Sequence, residues 1–182
     1  MGEKKCWRDN AWEVVKFVVI TLLVVIPIRT YVAQPFIVSG LSMYPSFNDG
    51  EYLIIDELTY LLRQPKREEV VVFRFPKDPS KFFIKRVIGL PGETVVIKNN
   101  QITIRQGNTE LAIMEADTKD QILLDGSFAL GPEEYFVLGD NRNMSLDSRA
   151  WGAVPEKLIK GRVLLRLFPF NRLALLPASI IE

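Results

Sequence analysis

Histidine is absent from this 182-residue chain, and cysteine occurs once, at Cys6. Without histidine the chain cannot supply a Ser-His-Asp triad, a Cys-His pair or a histidine-based zinc site. One cysteine permits neither an intrachain disulfide nor a multi-cysteine metal cage. No metal site and no cofactor are therefore expected, and a hydrolase built on this chain must use Lys, Asp, Glu or Tyr as its base. An excess of either charge is also missing: 23 Lys and Arg against 22 Asp and Glu leave a net +1. That balance argues against a nucleic-acid partner.

Long charge-free hydrophobic runs are lacking too. Near the N-terminus the run from Phe17 to Ile28 has only 12 residues, short of the roughly 20 that span a bilayer core. Extending it from Trp12 to Val32 takes in Glu13, Lys16 and Arg29. All three lie near the ends, where Lys and Arg snorkel and Glu13 can pair with Lys16. Pro27 falls late in the segment and is tolerated there. Tyr31-Val32-Ala33 is not the A-x-A pattern of a cleaved signal peptide, and Lys4, Lys5 and Arg8 just upstream do not suit a buried core helix. The expected division is a cytoplasmic tail over 1–11, a single-pass transmembrane anchor over 12–33 and an extracytoplasmic domain over 34–182, oriented by the basic flank.

What is present is a chain that can bury a core, with 48% hydrophobic and 25% charged residues. From residue 36 onward the periodicity is mostly that of strands: Tyr52 to Ile55, Val70 to Phe75, Phe82 to Ile88, Thr94 to Lys98, Gln101 to Ile104, Tyr135 to Leu138 and Gly161 to Leu167. Asn99-Asn100 reads as a hairpin turn. The expected fold is mainly β, an antiparallel sheet or barrel-like domain behind the anchor. Short helical turns are expected at Glu57 to Leu62 and at Pro155 to Ile159. Residues 105–126 are the least patterned and read as a variable insertion.

Three stretches carry potential chemistry. Val38-Ser39-Gly40-Leu41-Ser42-Met43-Tyr44-Pro45 presents the Ser42 hydroxyl between a glycine turn and a proline, a few residues beyond the anchor. Taken alone it reads as an ordinary turn. In the strand Phe82 to Ile88, Phe83, Lys85 and Val87 share one face and Ile84, Arg86 and Ile88 the other. Whichever face is buried, a basic group sits among large apolar ones, and a desolvated lysine can act as a base. On an edge strand both would simply face solvent. The third stretch, Gly139 to Gly152, is dense in acids, amides, hydroxyls and arginines. Asp147 and Arg149 can pair there, and Ser145 can hold an amine. A calcium loop fits it poorly, because it lacks the terminal glutamate and contains arginines.

The order Ser-Gly-Leu-Ser-Met-Tyr-Pro (39–45), Val-Val-Phe-Arg-Phe-Pro (71–76), Lys-Arg-Val-Ile-Gly-Leu-Pro-Gly-Glu (85–93) and Gly-Asp-Asn-Arg-Asn-Met-Ser-Leu-Asp-Ser-Arg-Ala-Trp-Gly (139–152) resembles bacterial type I signal peptidase, over roughly residues 10 to 170. The resemblance implies a serine–lysine dyad: Ser42 as nucleophile, Lys85 as general base, Ser145 orienting the lysine, and Asp147 with Arg149 supporting the site. It implies that the Ser42 N–H forms part of the oxyanion hole. Gly40 stands where some members carry a side-chain hydroxyl, so that donor is unassigned. Lys66-Arg67-Glu68-Glu69 departs from the usual Arg-Gly-acid turn. Phe36, Val38, Gly40, Met43, Val72 and Ile84 match substrate-contacting positions, although core packing is an equal reading for the apolar ones. The implied partners are signal-peptide-bearing preproteins and membrane lipid, in a bacterial-type plasma or internal membrane; the oligomeric state is open, with a monomer expected. Two rivals differ in class. One is a silent membrane-anchored β domain that binds polypeptides. The other is a self-cleaving repressor of the LexA type, whose DNA-binding domain the residues before Phe36 do not supply.

Overall fold

The computed structural model describes residues 12–23, 34–107, 109–113 and 125–177. Residues 12–23 form helix α1, with apolar side chains such as Phe17 and Leu23 exposed. No helix among the described residues is long and apolar enough to cross a membrane. The expected tail and the second half of the expected anchor lie outside the described residues.

Beyond α1 the chain is built from antiparallel strands. The first are β1 (Gln34–Ile37) and β2 (Tyr52–Asp56), which pair with each other and flank the loop that carries Ser42. A single helical turn, α2 (Thr59–Leu62), leads to β3 (Val70–Phe75) and β4 (Asp78–Gly89). Val70, Val71, Val72 and Phe73 are all buried. Such an unbroken apolar run suits a central strand covered on both faces, and β3 lies between β4 and the long strand near the C-terminus.

Next come β5 (Thr94–Lys98) and β6 (Gln101–Gln106), joined through Asn99 and Asn100 with φ of 51° and 62°. Positive φ at both central residues is the hairpin conformation expected of an Asn-Asn turn. β7 (Thr109–Ile113) then pairs with β6, and β8 (Gly126–Ala129) with β5. The stretch read as an unpatterned insertion is thus partly strand. β6 runs two residues past Ile104, and β7 and β8 are edge strands of five and four residues, too short to show a clear period, so pairing rather than local preference sets them. Residues 114–124 lie outside the described residues.

The remaining elements are β9 (Glu134–Leu138), the helical turn α3 (Ser148–Trp151), β10 (Val154–Pro155), β11 (Ile159–Phe168) and β12 (Ala174–Leu175). The turn expected at Pro155 to Ile159 is a 3-10 helix over Glu156–Leu158. One sheet runs β1-β2-β11-β3-β4-β9-β10 with β12 against β11, and a second runs β7-β6-β5-β8. The first sheet curls until Phe36 of β1 meets Phe82 of β4 edge-to-face, 5.3 Å between ring centroids. No pairing among the described residues joins its two ends, so it is an open curled sheet rather than a closed barrel.

Three apolar clusters hold the two sheets. The first, with Val95, Ile97, Ile104, Phe136 and Leu138, fills the second sheet and its contact with the first. Another, with Val71, Phe73, Val87, Tyr135 and Val137, lies across β3, β4 and β9. Met43, Phe47, Leu53, Ile55 and Val72 form the cluster directly under the Ser42 loop. Met43 and Phe47 are 1% and 0% exposed, and burying side chains of this size contributes about 1.5–3 kcal/mol each. The loop therefore has its own two anchors in the core.

Candidate active site

β4 is what brings the chemistry together. It pairs with β3 at Asp78 and from Phe82 to Arg86, but with β9, among the described residues, only at Arg86, Val87 and Gly89. Its earlier residues leave one backbone edge without a strand partner among the described residues, and Lys85 sits where that free edge ends. Lys85 is nevertheless 4% exposed, so the solvent-facing alternative does not hold. The other face is filled as well: Ile88 is buried, and Arg86 forms a forked pair with Asp140, its Nε and Nη2 donating at 2.8 and 2.7 Å.

The Lys85 ammonium donates to Ser42 Oγ at 2.6 Å and to the carbonyl of Ile84 at 2.9 Å. Its Nζ lies 5.6 Å from the centre of the Phe83 ring. Burial lowers its pKa from 10.5 to about 8, with the charges of Asp147 and Asp140 opposing the shift. Losing water outweighs the attraction of two carboxylates, because neither is close enough to form a salt bridge with it. A sizeable fraction of the amine is therefore neutral near pH 8, within hydrogen-bond reach of a hydroxyl.

The Gly139–Gly152 segment forms the back of the site. A 3-10 turn over Arg142–Met144 is capped by the Asn141 side chain, and α3 by the Asp147 side chain. Arg149 Nε and Nη2 grip the two Asp147 oxygens at 2.7 and 2.8 Å. Arg149 also donates to the carbonyls of Arg142 and Ser145. Asp147 is 1% exposed and accepts from the Gly139 N–H at 3.2 Å. The Ser145 hydroxyl is buried and has no hydrogen-bond partner among the described residues. The structure thus pairs Asp147 with Arg149, brings Ser42 to Lys85, and leaves Ser145 adjacent but unengaged.

The segment meets the Ser42 loop through backbone. Asn141 N–H donates to the Ser42 carbonyl at 3.0 Å. A Cβ on Gly139 would come within 2.4 Å of that same carbonyl oxygen and 2.2 Å of Ser145 Oγ. Gly139, Asn141 and the Arg86–Asp140 pair were not singled out from the sequence. Alternating strand faces put Arg86 opposite Lys85, and the signal for its pairing was a buried-strand arginine with an unmatched aspartate after Gly139.

A groove of about 510 Å³ opens in front of Ser42 and Lys85. Residues 36–42 form one wall and Lys81 to Lys85 of β4 the other, with Leu53 and Val72 among its lining residues and Met144 and Leu146 at the side. Of the positions matched to substrate contacts, Phe36, Val38, Gly40, Val72 and Ile84 line this groove. Met43 does not; it is buried in the cluster beneath the loop. Gly40 has φ of +90°, and its N–H donates to Asp49 at 2.7 Å. A side chain at Gly40 would meet no atom within 4 Å, yet the backbone there disfavours any residue but glycine. Trp151 packs against the rings of Phe75 and Phe83.

The fold is thus a curled antiparallel sheet whose groove exposes a hydroxyl beside a buried amine. The chain belongs to the family described as signal peptidase, peptidase S26, whose sequence profile matches residues 11–168. It is 37% identical over 186 residues to a probable signal peptidase I-2 of Synechocystis sp., covering 96% of this chain and 81% of that one. A signal peptidase I of Bacillus licheniformis is 31% identical, with 91% and 93% covered. A solved signal peptidase I from Enterococcus faecalis V583 is 27% identical and superposes with a TM-score of 0.47, over 56% of this chain and 97% of that one. The protein is accordingly an enzyme, a hydrolase of peptide bonds.

Proposed function

We propose that the protein is a membrane-anchored serine endopeptidase that removes signal peptides from exported preproteins, with Ser42 as nucleophile and Lys85 as general base. The observation that carries this reading is the 2.6 Å contact between Lys85 Nζ and Ser42 Oγ in a buried, apolar setting. Neutral Lys85 takes the hydroxyl proton as Oγ attacks the scissile carbonyl carbon, and the electron pair moves onto the carbonyl oxygen. Backbone N–H groups, that of Ser42 among them, hold the oxyanion. Collapse breaks the C–N bond, and Lys85 returns the proton to the leaving amine. A water molecule, deprotonated by the same lysine, then attacks the acyl-enzyme and releases Ser42.

The preprotein binds extended, adding its backbone to the free edges of β1 and the first half of β4. Small side chains at the first and third positions before the cut fit the shallow depressions of Phe36, Val38, Val72 and Ile84. Asp147 and Arg149 hold the back of the site. Ser145 gains a partner by turning its hydroxyl to the lysine during turnover. α1 begins the anchor, which places the groove where the signal peptide's own helix leaves the bilayer. The exposed Phe168 and Phe170 (46% and 78%) add interfacial contact.

The test is processing of a preprotein by the full chain in lipid vesicles. Ser42→Ala and Lys85→Ala are each expected to abolish cleavage, and wild-type rates in either would reject the dyad. Alkaline extraction of the vesicles tests the anchor: release of the intact chain into the supernatant would reject it. If the wild-type chain cleaved no preprotein, the domain would be a polypeptide-binding module instead.

A further inference from the structure

The loop from Val38 to Glu51 is closed at its base by backbone: Val38 N–H donates to the Glu51 carbonyl and Gly50 N–H to the Val38 carbonyl, both at 2.9 Å. Glu51 itself is 1% exposed. Its carboxylate meets Arg166 Nε of β11 at 2.9 Å and Arg172 Nη1 of the following 3-10 turn at 2.7 Å. These contacts are ion pairs rather than aligned hydrogen bonds, so what holds the carboxylate is two guanidinium charges in a site with little water.

Both arginines also reach the loop itself. Arg166 Nη2 donates to the Ser46 carbonyl at 2.5 Å, and Arg172 Nη2 to the carbonyls of Pro45 and Ser46 at 3.3 and 3.4 Å. The Arg166 guanidinium lies 4.9 Å from the centre of the buried Phe47 ring. The carbonyls that are gripped belong to residues three and four positions after Ser42. On the opposite side, Arg86 donates to the Ser46 hydroxyl at 3.4 Å. The loop segment is thus held between the Arg86–Asp140 pair and a separate cluster contributed by β11 and the chain beyond it.

We propose that Glu51, Arg166 and Arg172 form a clamp that positions the Ser42 loop against Lys85, making Arg172 and Arg166 positioning residues for peptide-bond cleavage. The inference rests on the assignment of Ser42 as nucleophile. Neither arginine touches the groove. Their effect is transmitted through the Pro45 and Ser46 carbonyls, a tether short enough to move Oγ relative to Nζ.

The experiment compares the full chain with Arg172→Ala, Arg172→Lys, Glu51→Gln and Ser42→Ala, using one preprotein in lipid vesicles. Measurements are kcat, KM, the pH profile of kcat and the unfolding midpoint. Arg172 is partly exposed on the short turn between β11 and β12, so its variants are the ones expected to fold. A misplacement of about 1 Å can lower a rate on the order of a hundredfold, so kcat of Arg172→Ala is expected to fall at least about tenfold with KM within twofold. Arg172→Lys should restore part of the rate. Loosening the loop admits water to the amine, so the acid limb of Arg172→Ala should shift to higher pH. A kcat within twofold of wild type in both Arg172→Ala and Glu51→Gln would overturn the clamp. So would a loss that appears only above the variant's unfolding midpoint. If Ser42→Ala itself retained activity, the nucleophile assignment would fail instead, a result separate from either.

Discussion

Gly139 and Ser42 are packed so closely that no side chain fits between them: a Cβ on Gly139 would stand 2.4 Å from the Ser42 carbonyl oxygen. The obstacle is backbone, which cannot rotate away as a flexible side chain would. Gly139→Ala is therefore expected to displace the Ser42 loop from Lys85 and reduce preprotein cleavage by at least about a hundredfold. Single-turnover cleavage in vesicles measures this, and a rate within threefold of wild type would show that the two segments can slide apart harmlessly.

Lys85 is expected to set the pH dependence of both rate and stability. Its folded pKa of about 8 lies below its ordinary 10.5, so between those values the unfolded chain binds more protons than the folded one. Stability should rise with pH across that window, and the penalty should be complete below pH 8. At about 1.4 kcal/mol per pH unit this amounts to about 3 kcal/mol. Lys85→Met, which removes the buried charge, is expected to be more stable than wild type at pH 7, with the gap closing toward pH 10.5. Urea unfolding at several pH values measures it. Cleavage by the wild type should gain rate through an acid limb near pH 8, and an acid limb near 10 would indicate a solvated amine.

Ser145 makes a contrasting case. A buried hydroxyl without a partner costs on the order of 1–3 kcal/mol, and Ser145 Oγ is in that state. Ser145→Ala should therefore be at least as stable as wild type by thermal unfolding while cleaving more slowly. A marked loss of stability would mean that the hydroxyl is hydrogen-bonded in the free enzyme.

Asp147 is the opposite: buried, doubly gripped by Arg149 and bonded to the Gly139 N–H. Removing one partner of such a pair costs about 3–5 kcal/mol. Asp147→Ala is expected to lower stability by that order and to lose cleavage with it. Urea unfolding followed by tryptophan fluorescence is the check, and a change below 1 kcal/mol would place the pair in solvent.

Ile84 lies on the groove wall beside Lys85. Shortening it should enlarge the depression available to the residue before the cut. Ile84→Ala is expected to raise kcat/KM for a preprotein with Val rather than Ala at that position by about tenfold relative to wild type, the scale of one or two methylenes in an apolar pocket. Competition between the two preproteins measures the ratio, and an unchanged ratio would remove Ile84 from the specificity pocket.

Much of this protein was legible locally. The absence of histidine excluded the triad and directed attention to Lys85, and the β-branched runs and the Asn99-Asn100 turn foretold most of β2 to β6, β9 and β11. Local pattern failed where pairing decides. β7 falls inside the stretch read as unpatterned and β8 begins at its end, and both are short segments that β6 and β5 draw into strand by backbone pairing. The packing of Trp151 on Phe75 and Phe83 was not visible because those rings are far away in sequence. For Met43, which matched a substrate-contacting position with core packing as an equal reading, only the structure decided for the core, because adjacency to Ser42 does not say which way a loop side chain turns.

By itself, then, the sequence determined the chemistry available, a serine and a lysine without histidine, and the antiparallel β character, because composition and period-two patterning are local properties. Only the tertiary structure decided that Lys85 is buried, that its Nζ stands 2.6 Å from Ser42 Oγ, and that the first sheet curls without closing. Those outcomes depend on how distant segments desolvate one another. A lysine pKa near 8 exists only once β3, β4, β9 and the Ser42 loop have together excluded water from one amine.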